Sequence, residues 1–147
     1  MIILNRVRYE KDINTFCRII IANGKDFNAN LRSGILHEMS LMGGVFDVIE
    51  QTLSQHEIKR VLQVKLKVGE LTNAEPEALN MAFEAYSKDT VCEGAELIVE
   101  RVPVRGRCQT CHEEFAVVTW LFVCPKCHSG IDVIQGEELL LESLEVE

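Results

Sequence analysis

Apolar and polar positions repeat with two different periods along this chain, and each change of period marks a new element. From Glu38 to Gln55 apolar residues recur every three or four positions, which is typical of an amphipathic helix. This stripe consists of Leu41, Val45, Val48, Ile49 and Leu53. From Leu62 to Val68 apolar and polar residues alternate strictly, as in a strand with one buried face. The pattern therefore predicts a helix packed on a sheet.

Helical spacing returns at Pro76, a residue that the first turn of a helix tolerates. Its apolar face is marked by Leu79, Ala82, Phe83 and Tyr86. Further strands are predicted over about Ala95–Val104, near 131–134 and over Leu139–Val146, and Pro103 places the end of the first of these at a sheet edge. The predicted fold class is α+β, with two helices packed on a small, mainly antiparallel or mixed three-stranded sheet.

Two Cys-x-x-Cys pairs lie between the strands predicted near residues 95–104 and 131–134. They are Cys108 with Cys111 and Cys124 with Cys127, and twelve residues separate the pairs. Four thiolates so spaced can close a tetrahedron around one metal ion, and Zn²⁺ accepts four sulfurs without redox chemistry. Because the last strand can return to the main sheet, we predict an inserted four-cysteine zinc-ribbon module at residues 105–135, with zinc in a structural role.

Three other chemistries use cysteine pairs: disulfides, a thioredoxin-type redox pair and a rubredoxin-like iron site. The apolar run within Met1–Arg8 is too short for a signal peptide, so we expect a reducing, cytoplasmic location, which disfavours disulfides. A thioredoxin motif follows a strand and opens a helix, whereas these pairs lie among turn formers and strand-like residues. Iron stays open on spacing alone.

Charge is distributed unevenly along the chain, whose net charge is −8. Residues 1–36 hold six basic and three acidic residues, a net +3, which leaves −11 for the other 111 residues. An acidic body argues against nucleic acid as a partner. A small basic patch near the cysteines could still be formed by four residues, Arg101, Arg105, Arg107 and Lys126. No apolar stretch approaches membrane-spanning length, so we expect no membrane partner either.

Catalysis by this chain is not expected. Four cysteines around one metal leave no position for a reactive water, and neither a Ser-His-Asp nor a paired-carboxylate constellation stands out. The sequence also lacks a Gly-rich phosphate loop, so any nucleotide hydrolysis would belong to a partner.

The order helix, strand, helix, strand, cysteine module, strand resembles the HypA/HybF nickel metallochaperones of hydrogenase maturation over about residues 37–147. The most specific segments are the opening His37-Glu38-Met39-Ser40-Leu41 and the two cysteine pairs. The closing segment is similar at Cys127-His128-Ser129, Gln135-Gly136-Glu137 and Leu141-Glu142-Ser143-Leu144-Glu145.

The resemblance implies a nickel-binding α/β domain at residues 37–104 and 136–147, around the zinc-binding module. It also implies that the protein carries Ni²⁺ as cargo and delivers it, with a HypB-type GTPase, to a [NiFe]-hydrogenase large subunit; some family members also serve urease through its maturation proteins. The implied nickel ligands are the terminal amine, backbone nitrogens and the imidazole of His37. Glu38 either binds or supports the nickel or simply favours the helix N-terminus through the helix dipole. Glu75 could approach the nickel site from the turn before the second helix.

The alternative function is a zinc-ribbon adaptor that binds protein without metal transfer. This alternative explains the four cysteines but not the His37-Glu38 opening. A second metal that binds independently of the cysteines and disappears with His37 would separate the two functions.

The sequence departs from the family pattern where the family chain begins. His37 follows Leu36 and a 35-residue extension, whereas the family histidine follows the initiating methionine. A free amine has a pKa of about 8 and can bind metal when neutral, but the amide of an internal Leu36 is far less acidic. We hypothesise that Leu36 is encoded by a leucine-type start codon read as methionine, so that residues 1–35, within the extension at residues 1–36, result from a mis-assigned start.

The rival interpretation is a genuine segment in which Thr15–Ala22 forms a short apolar helix, with Cys17 as a packing residue. Elsewhere, His112 and His128 directly follow zinc cysteines and are either exposed turn residues or substitutes for a thiolate. Cys92 is predicted to be a small buried residue rather than a ligand.

Overall fold

The computed structural model describes residues 6–11, 17–22, 35–118 and 121–147, with side chains from Glu38 onward within these ranges. The elements in chain order are β1 (Arg6–Lys11), β2 (Cys17–Ala22), α1 (Ile35–Leu53), β3 (Val61–Gly69), α2 (Pro76–Ser87), β4 (Glu96–Val102), β5 (Arg105–Cys108), β6 (Glu114–Ala116), β7 (Ile131–Gln135) and β8 (Leu139–Val146). A 3₁₀ turn at Glu70–Thr72 follows β3.

Helix α1 has the predicted apolar stripe, but the face that it buries is wider. Leu41, Val45 and Ile49 lie in the core, while Val48 and Leu53 are half-buried against it. Met42 and Phe46 are also buried, because the helix packs on both the sheet and α2. Phe46 makes the contact with α2, where its ring centroid lies 5.6 Å from that of Phe83 and 5.5 Å from that of Tyr86.

Strand β3 lies at the centre of the core but does not follow the predicted alternation at its beginning. Val64, Leu66 and Val68 are fully buried as predicted. Leu62 is only half-buried, whereas Val61 is fully buried. The pairing of β3 with β8 shifts between Val61 and Gln63, and such an irregularity moves the preceding residue to the opposite face.

The main sheet has five described strands in the order β1-β2-β8-β3-β4. β3 and β4 pair in parallel, and the other neighbours pair antiparallel. Helix α2 connects the two parallel strands, since a parallel pair needs a crossover. The mixed sheet predicted from β3, β4 and β8 is therefore confirmed, and two strands from the extension widen it.

The short helix considered for Thr15–Ala22 is wrong for the part that the structure describes, because Cys17–Ala22 forms strand β2. The segment contains three consecutive isoleucines, whose β-branched side chains favour extended backbone. β8 also offers it a pairing partner. Residues 15–16 and the side chain of Cys17 lie outside the described part of the chain.

The cysteine module forms a second, antiparallel sheet in the order β6-β5-β7. It is anchored at the end of β3, where the Gly69 N–H donates to the Glu138 carbonyl at 2.7 Å and the Leu71 N–H to the Gly136 carbonyl at 2.8 Å. A Cβ on Gly69 would lie 2.1 Å from the Gly136 oxygen, and Gly136 has φ +115°. Both positions therefore need glycine.

The described residues contain no helix that is both long and apolar enough to cross a membrane.

Candidate metal centre

The four cysteine sulfurs of the module converge on one point. The sulfurs of Cys108, Cys111, Cys124 and Cys127 all lie within 4.8 Å of one another. The Cys108 and Cys127 sulfurs are 3.4 Å apart, and those of Cys111 and Cys124 are 3.6 Å apart. A tetrahedral Zn²⁺ with bonds of about 2.3 Å places its sulfurs about 3.8 Å apart. The sulfur positions therefore fit a single tetrahedral ion.

The first cysteine pair lies on a turn between β5 and β6 that directs backbone N–H groups at sulfur. The Cys108 N–H donates to the Glu113 carbonyl at 3.0 Å, and the His112 N–H donates to the Cys108 carbonyl at 3.1 Å. Inside this turn the N–H groups of Thr110 and Cys111 point at the Cys108 sulfur, at 3.3 and 3.4 Å. These donors stabilise the thiolate that binds metal.

The second pair repeats the same turn. The Cys124 N–H donates to the Ser129 carbonyl at 2.8 Å, and the His128 N–H donates to the Cys124 carbonyl at 2.9 Å. His112 and His128 occupy the same left-handed position in their turns, with φ of +60° and +58°. Both are exposed turn residues, and the metal-holding group found among the described residues contains neither of them.

The thiols of the centre differ in acidity. Hydrogen bonds from the Ser129 hydroxyl and backbone lower the pKa of Cys127 to about 6. The backbone N–H of Cys111 lowers the pKa of Cys108. At Cys111 the Glu113 backbone N–H lowers the pKa, but the Cys108 sulfur and desolvation outweigh it and raise the value to about 11. Metal binding must therefore displace protons from the set.

Basic residues around the centre are paired with carboxylates. Arg105 and Arg107 both approach Glu114, at 3.8 and 2.5 Å. Lys126, on the second turn, pairs with Glu113 on the first. Three of the four side chains that left room for a basic patch near the cysteines, namely Arg105, Arg107 and Lys126, therefore connect neighbouring parts of the module instead.

The predicted nickel residues lie where the first turn of α1 meets the beginning of α2. Glu38 is buried, and its Oε1 accepts the Glu75 N–H at 3.4 Å. Arg101 on β4 donates to the Ala74 carbonyl at 2.8 Å and holds the same turn. The structure thus brings the Glu38 carboxylate to the backbone of Glu75. His37 lies in the first turn of α1, and its imidazole lies outside the described side chains.

Sequence reasoning missed Ser129 and Arg101 as supporting residues. Ser129 follows the last cysteine by two positions, and this short spacing was a usable signal for a hydrogen bond to sulfur. Arg101 carried no such signal, because its partner Ala74 lies 27 positions away in the sequence.

The fold and the cysteine centre together define a small metal-binding protein with an inserted four-sulfur module. Residues 36–146 match the family described as hydrogenase/urease nickel incorporation, metallochaperone, hypA. The chain belongs to the HypA family, as its sequence resemblance indicated. This is a family of metallochaperones and maturation factors, not of catalytic enzymes.

Individual relatives agree with this assignment. The hydrogenase maturation factor HypA of Desulfitobacterium hafniense is 66% identical over 113 residues, which cover 76% of this chain and 99% of that protein. The HypA of Geobacter metallireducens is 42% identical over 113 residues, with coverage of 76% and 100%. The solution structure of the Ni metallochaperone HypA from Helicobacter pylori aligns with a TM-score of 0.59 and 27% identity, and the alignment covers 74% of this chain and 96% of that one.

Proposed function

We propose that this protein binds Ni²⁺ and delivers it, with a HypB-type GTPase, to the large subunit of a [NiFe]-hydrogenase in the cytoplasm. The observation that carries the proposal is the match of residues 36–146 to a nickel-incorporation family, which begins one residue before His37. The family description names urease beside hydrogenase, so urease maturation is a second destination for the same cargo.

The four cysteines are proposed to hold Zn²⁺ as a structural ion. Cys108, Cys111, Cys124 and Cys127 supply a closed set of sulfurs within 4.8 Å of one another. A structural zinc site of this kind has no free coordination position, and it contributes free energy to folding. Such an ion is held too tightly to serve as cargo, so nickel needs a separate site.

Nickel is proposed to bind at the beginning of α1. The ligands would be the imidazole of His37, the amine of residue 36 and neighbouring backbone nitrogens, a nitrogen set that suits square-planar Ni²⁺. The first N–H groups of a helix have no partner within the helix, so these nitrogens are not needed by later turns of α1. Glu38 lies in the first turn of α1, and its carboxylate, which accepts the Glu75 N–H, would act either as a ligand or as a hydrogen-bond partner.

The free amine requires a chain that begins at Leu36. In the longer chain α1 begins at Ile35, so residue 36 offers an amide within a helical turn. We therefore propose that the nickel-binding form starts at Leu36, through a leucine-type start codon. The intact mass of the native gene product tests this directly, and a mass that includes residues 1–35 would exclude it.

The decisive experiment is a Ni²⁺ titration of zinc-loaded protein that begins with methionine at position 36. His37→Ala is the test variant, and His56→Ala is the matched control, three residues beyond the C-terminal end of α1. We expect one nickel per chain in the parent and in His56→Ala, and none in His37→Ala. Zinc content, measured on the same samples, should be equal in all three.

The zinc-ribbon adaptor is the second candidate, and one observation favours it. The loop before the second cysteine turn exposes apolar side chains, at 89% for Val118, 67% for Leu121 and 42% for Val123. Such a surface is typical of protein contacts. Equal nickel binding by the parent and His37→Ala, or none by either, would make the adaptor the better account.

A further inference from the structure

Strand β8 lies inside the sheet only because β2 pairs with its outer side. β3 occupies one side of β8 along most of its length. On the other side the register runs from Cys17 opposite Val146 to Ile20 opposite Ser143. Without β2, the outward N–H and carbonyl groups of residues 143–146 would lack strand partners, and β8 would be a sheet edge.

The strand that fills this edge lies outside the part of the chain shared with the family. The family match covers residues 36–146, and relatives are matched over 99% or all of their own length by 113 residues of this chain. The family unit therefore contains β3, β4 and β8 but neither β1 nor β2. Within that unit β8 is a long edge strand with four leucines among eight residues, and edges of this kind accept further strands.

The extension has the composition that such an edge requires. β2 carries three consecutive isoleucines, which favour extended backbone. β1 pairs with β2 over six residues and becomes the new outermost strand. Four of its six residues are charged, namely Arg6, Arg8, Glu10 and Lys11, and charge on an outer strand opposes further pairing.

Charge complementarity favours the same pairing. Residues 1–36 carry a net +3 and the rest of the chain carries −11. The register places Arg18 opposite Glu145, and opposite charges at directly paired positions stabilise antiparallel strands.

We propose that the outer edge of β8 is a strand-accepting site and that strands β1 and β2 of this same chain are its occupant. The hairpin β1–β2 adds to the edge antiparallel to β8, with Ile19 opposite Leu144. A strand from any other molecule competes with the hairpin for the same backbone groups. The site is therefore closed in the long chain and open in a chain that begins at residue 36.

The test adds the occupant back as a separate molecule. The family match covers residues 36–146, and relatives are matched over 99% or all of their own length by 113 residues of this chain, so we expect this part to fold without the extension. The probe is a synthetic peptide of residues 5–24, and binding is measured by calorimetry. A scrambled peptide of the same composition is the control for binding by charge alone.

We expect one peptide to bind per chain of residues 36–147, with slowed amide exchange at residues 143–146. The scrambled peptide should bind at least about tenfold more weakly, and the full-length chain should not bind the probe. Binding that does not depend on peptide sequence, or equal binding to the full-length chain, would overturn the proposal. So would a dimer of residues 36–147 that the peptide does not dissociate, because the edge would then belong to a second copy.

A variant of the full-length chain gives an independent measurement. Ile19→Pro removes a backbone donor and restricts the strand opposite Leu144. Amide exchange at residues 143–146 should rise to the level of the 36–147 chain, while zinc content stays unchanged. Exchange that stays at the full-length level would contradict the assigned register. Neither experiment uses nickel, so the outcome is independent of the proposed nickel function.

Discussion

Cys111 and Cys124 differ in exposure but belong to the same closed group of sulfurs. Replacing either with alanine leaves three thiolates, and we expect loss of the metal and a loosened module, because a structural zinc site contributes about 10 kcal/mol or more to folding. Metal analysis and amide exchange over residues 105–135 check this. Cys92→Ala is the control, since this buried thiol lies outside the group. Full zinc content in Cys111→Ala would contradict the assignment.

Gly69 tests the junction between the main sheet and the module. A Cβ added at Gly69 would lie 2.1 Å from the Gly136 carbonyl oxygen. This oxygen belongs to the backbone, which cannot move aside as a flexible side chain can. We expect Gly69→Ala to lower the free energy of unfolding by about 2–4 kcal/mol. Gly130→Ala is the matched control, because its nearest neighbour is the end of the Gln109 side chain at 3.3 Å. Urea denaturation should show little change there, and equal losses in both variants would refute this account.

At the scale of single residues, local pattern predicted much of the core and the centre. The four cysteines were identified from spacing alone, because a metal requires ligands at fixed separations. Leu62 was predicted to be buried, but a pairing irregularity with β8 places Val61 there instead. A register shift of this kind depends on the partner strand β8, which lies more than seventy positions away in the sequence. The alternation of residues within β3 alone does not reveal it.

Helix α2 contributes to the core through a few large side chains. Phe83 is 2% exposed and contacts Phe46, whereas Met81 on the same helix is 73% exposed. We expect Phe83→Ala to cost about 3–5 kcal/mol of stability and Met81→Ala less than about 0.5 kcal/mol. Thermal denaturation of zinc-loaded protein measures both. A similar cost for the two variants would mean that α2 does not pack as described.

The outer face of β3 and β8 is joined by ion pairs. Glu142 accepts from Lys65 at 2.8 Å and from Lys67 at 2.9 Å. Hydrogen bonding from Lys65, opposed by partial desolvation and reinforced by Lys67, lowers the pKa of Glu142. Because the pKa of Glu142 is lower in the folded chain, the ion pairs stabilise the protein at pH values above the unfolded carboxyl pKa of about 4.3. This contribution to stability is lost as the pH falls through the folded pKa.

Glu142→Gln should therefore be less stable than the parent at pH 7, and the difference should shrink as the pH falls below about 4. Urea unfolding at neutral and acidic pH measures it. Because these side chains are partly exposed, 1 M salt should also reduce the difference. If the difference in unfolding free energy between the variant and the parent did not change with pH, the effect would come from the shape of the side chain rather than from its charge.

At the scale of elements, the long periodic segments were predictable and the short apolar run was not. The helices α1 and α2 and most of strand β3 have clear periods, and their predicted and observed ranges largely overlap. The run at residues 17–22 has no period that separates helix from strand. Its conformation is decided by the open side of β8, which is information that only the folded sheet contains.

Chain length should change nickel affinity if the proposed site is correct. The chain that begins at residue 36 offers an amine as a ligand, whereas the full-length chain offers an amide that must lose a far less acidic proton. We expect at least about tenfold weaker Ni²⁺ binding by the full-length chain. Competition against a coloured chelator measures both affinities, with zinc content as the control. Equal affinities would remove the amine from the ligand set.

At the scale of the whole molecule, the element order and the inserted module identified the family, because a particular series of elements around two cysteine pairs is specific. The five-stranded sheet was not predictable, since β1 and β2 lie outside the family match. The extension carries a net positive charge and the body a net negative charge. In the folded chain the same difference favours their pairing.

The two glycines at the junction also bear on how the molecule comes apart. The chain leaves the main sheet near Val104 and returns at Gly136, and a Cβ on Gly136 would lie 2.9 Å from the Val104 Cα. An insertion whose ends meet can unravel as a loop at a cost that grows only slowly with its length. We therefore expect residues 105–135 to unfold as a unit of their own. Chelation of the metal should yield a partly unfolded protein, in which the two helices and the main sheet persist while the module is a flexible loop.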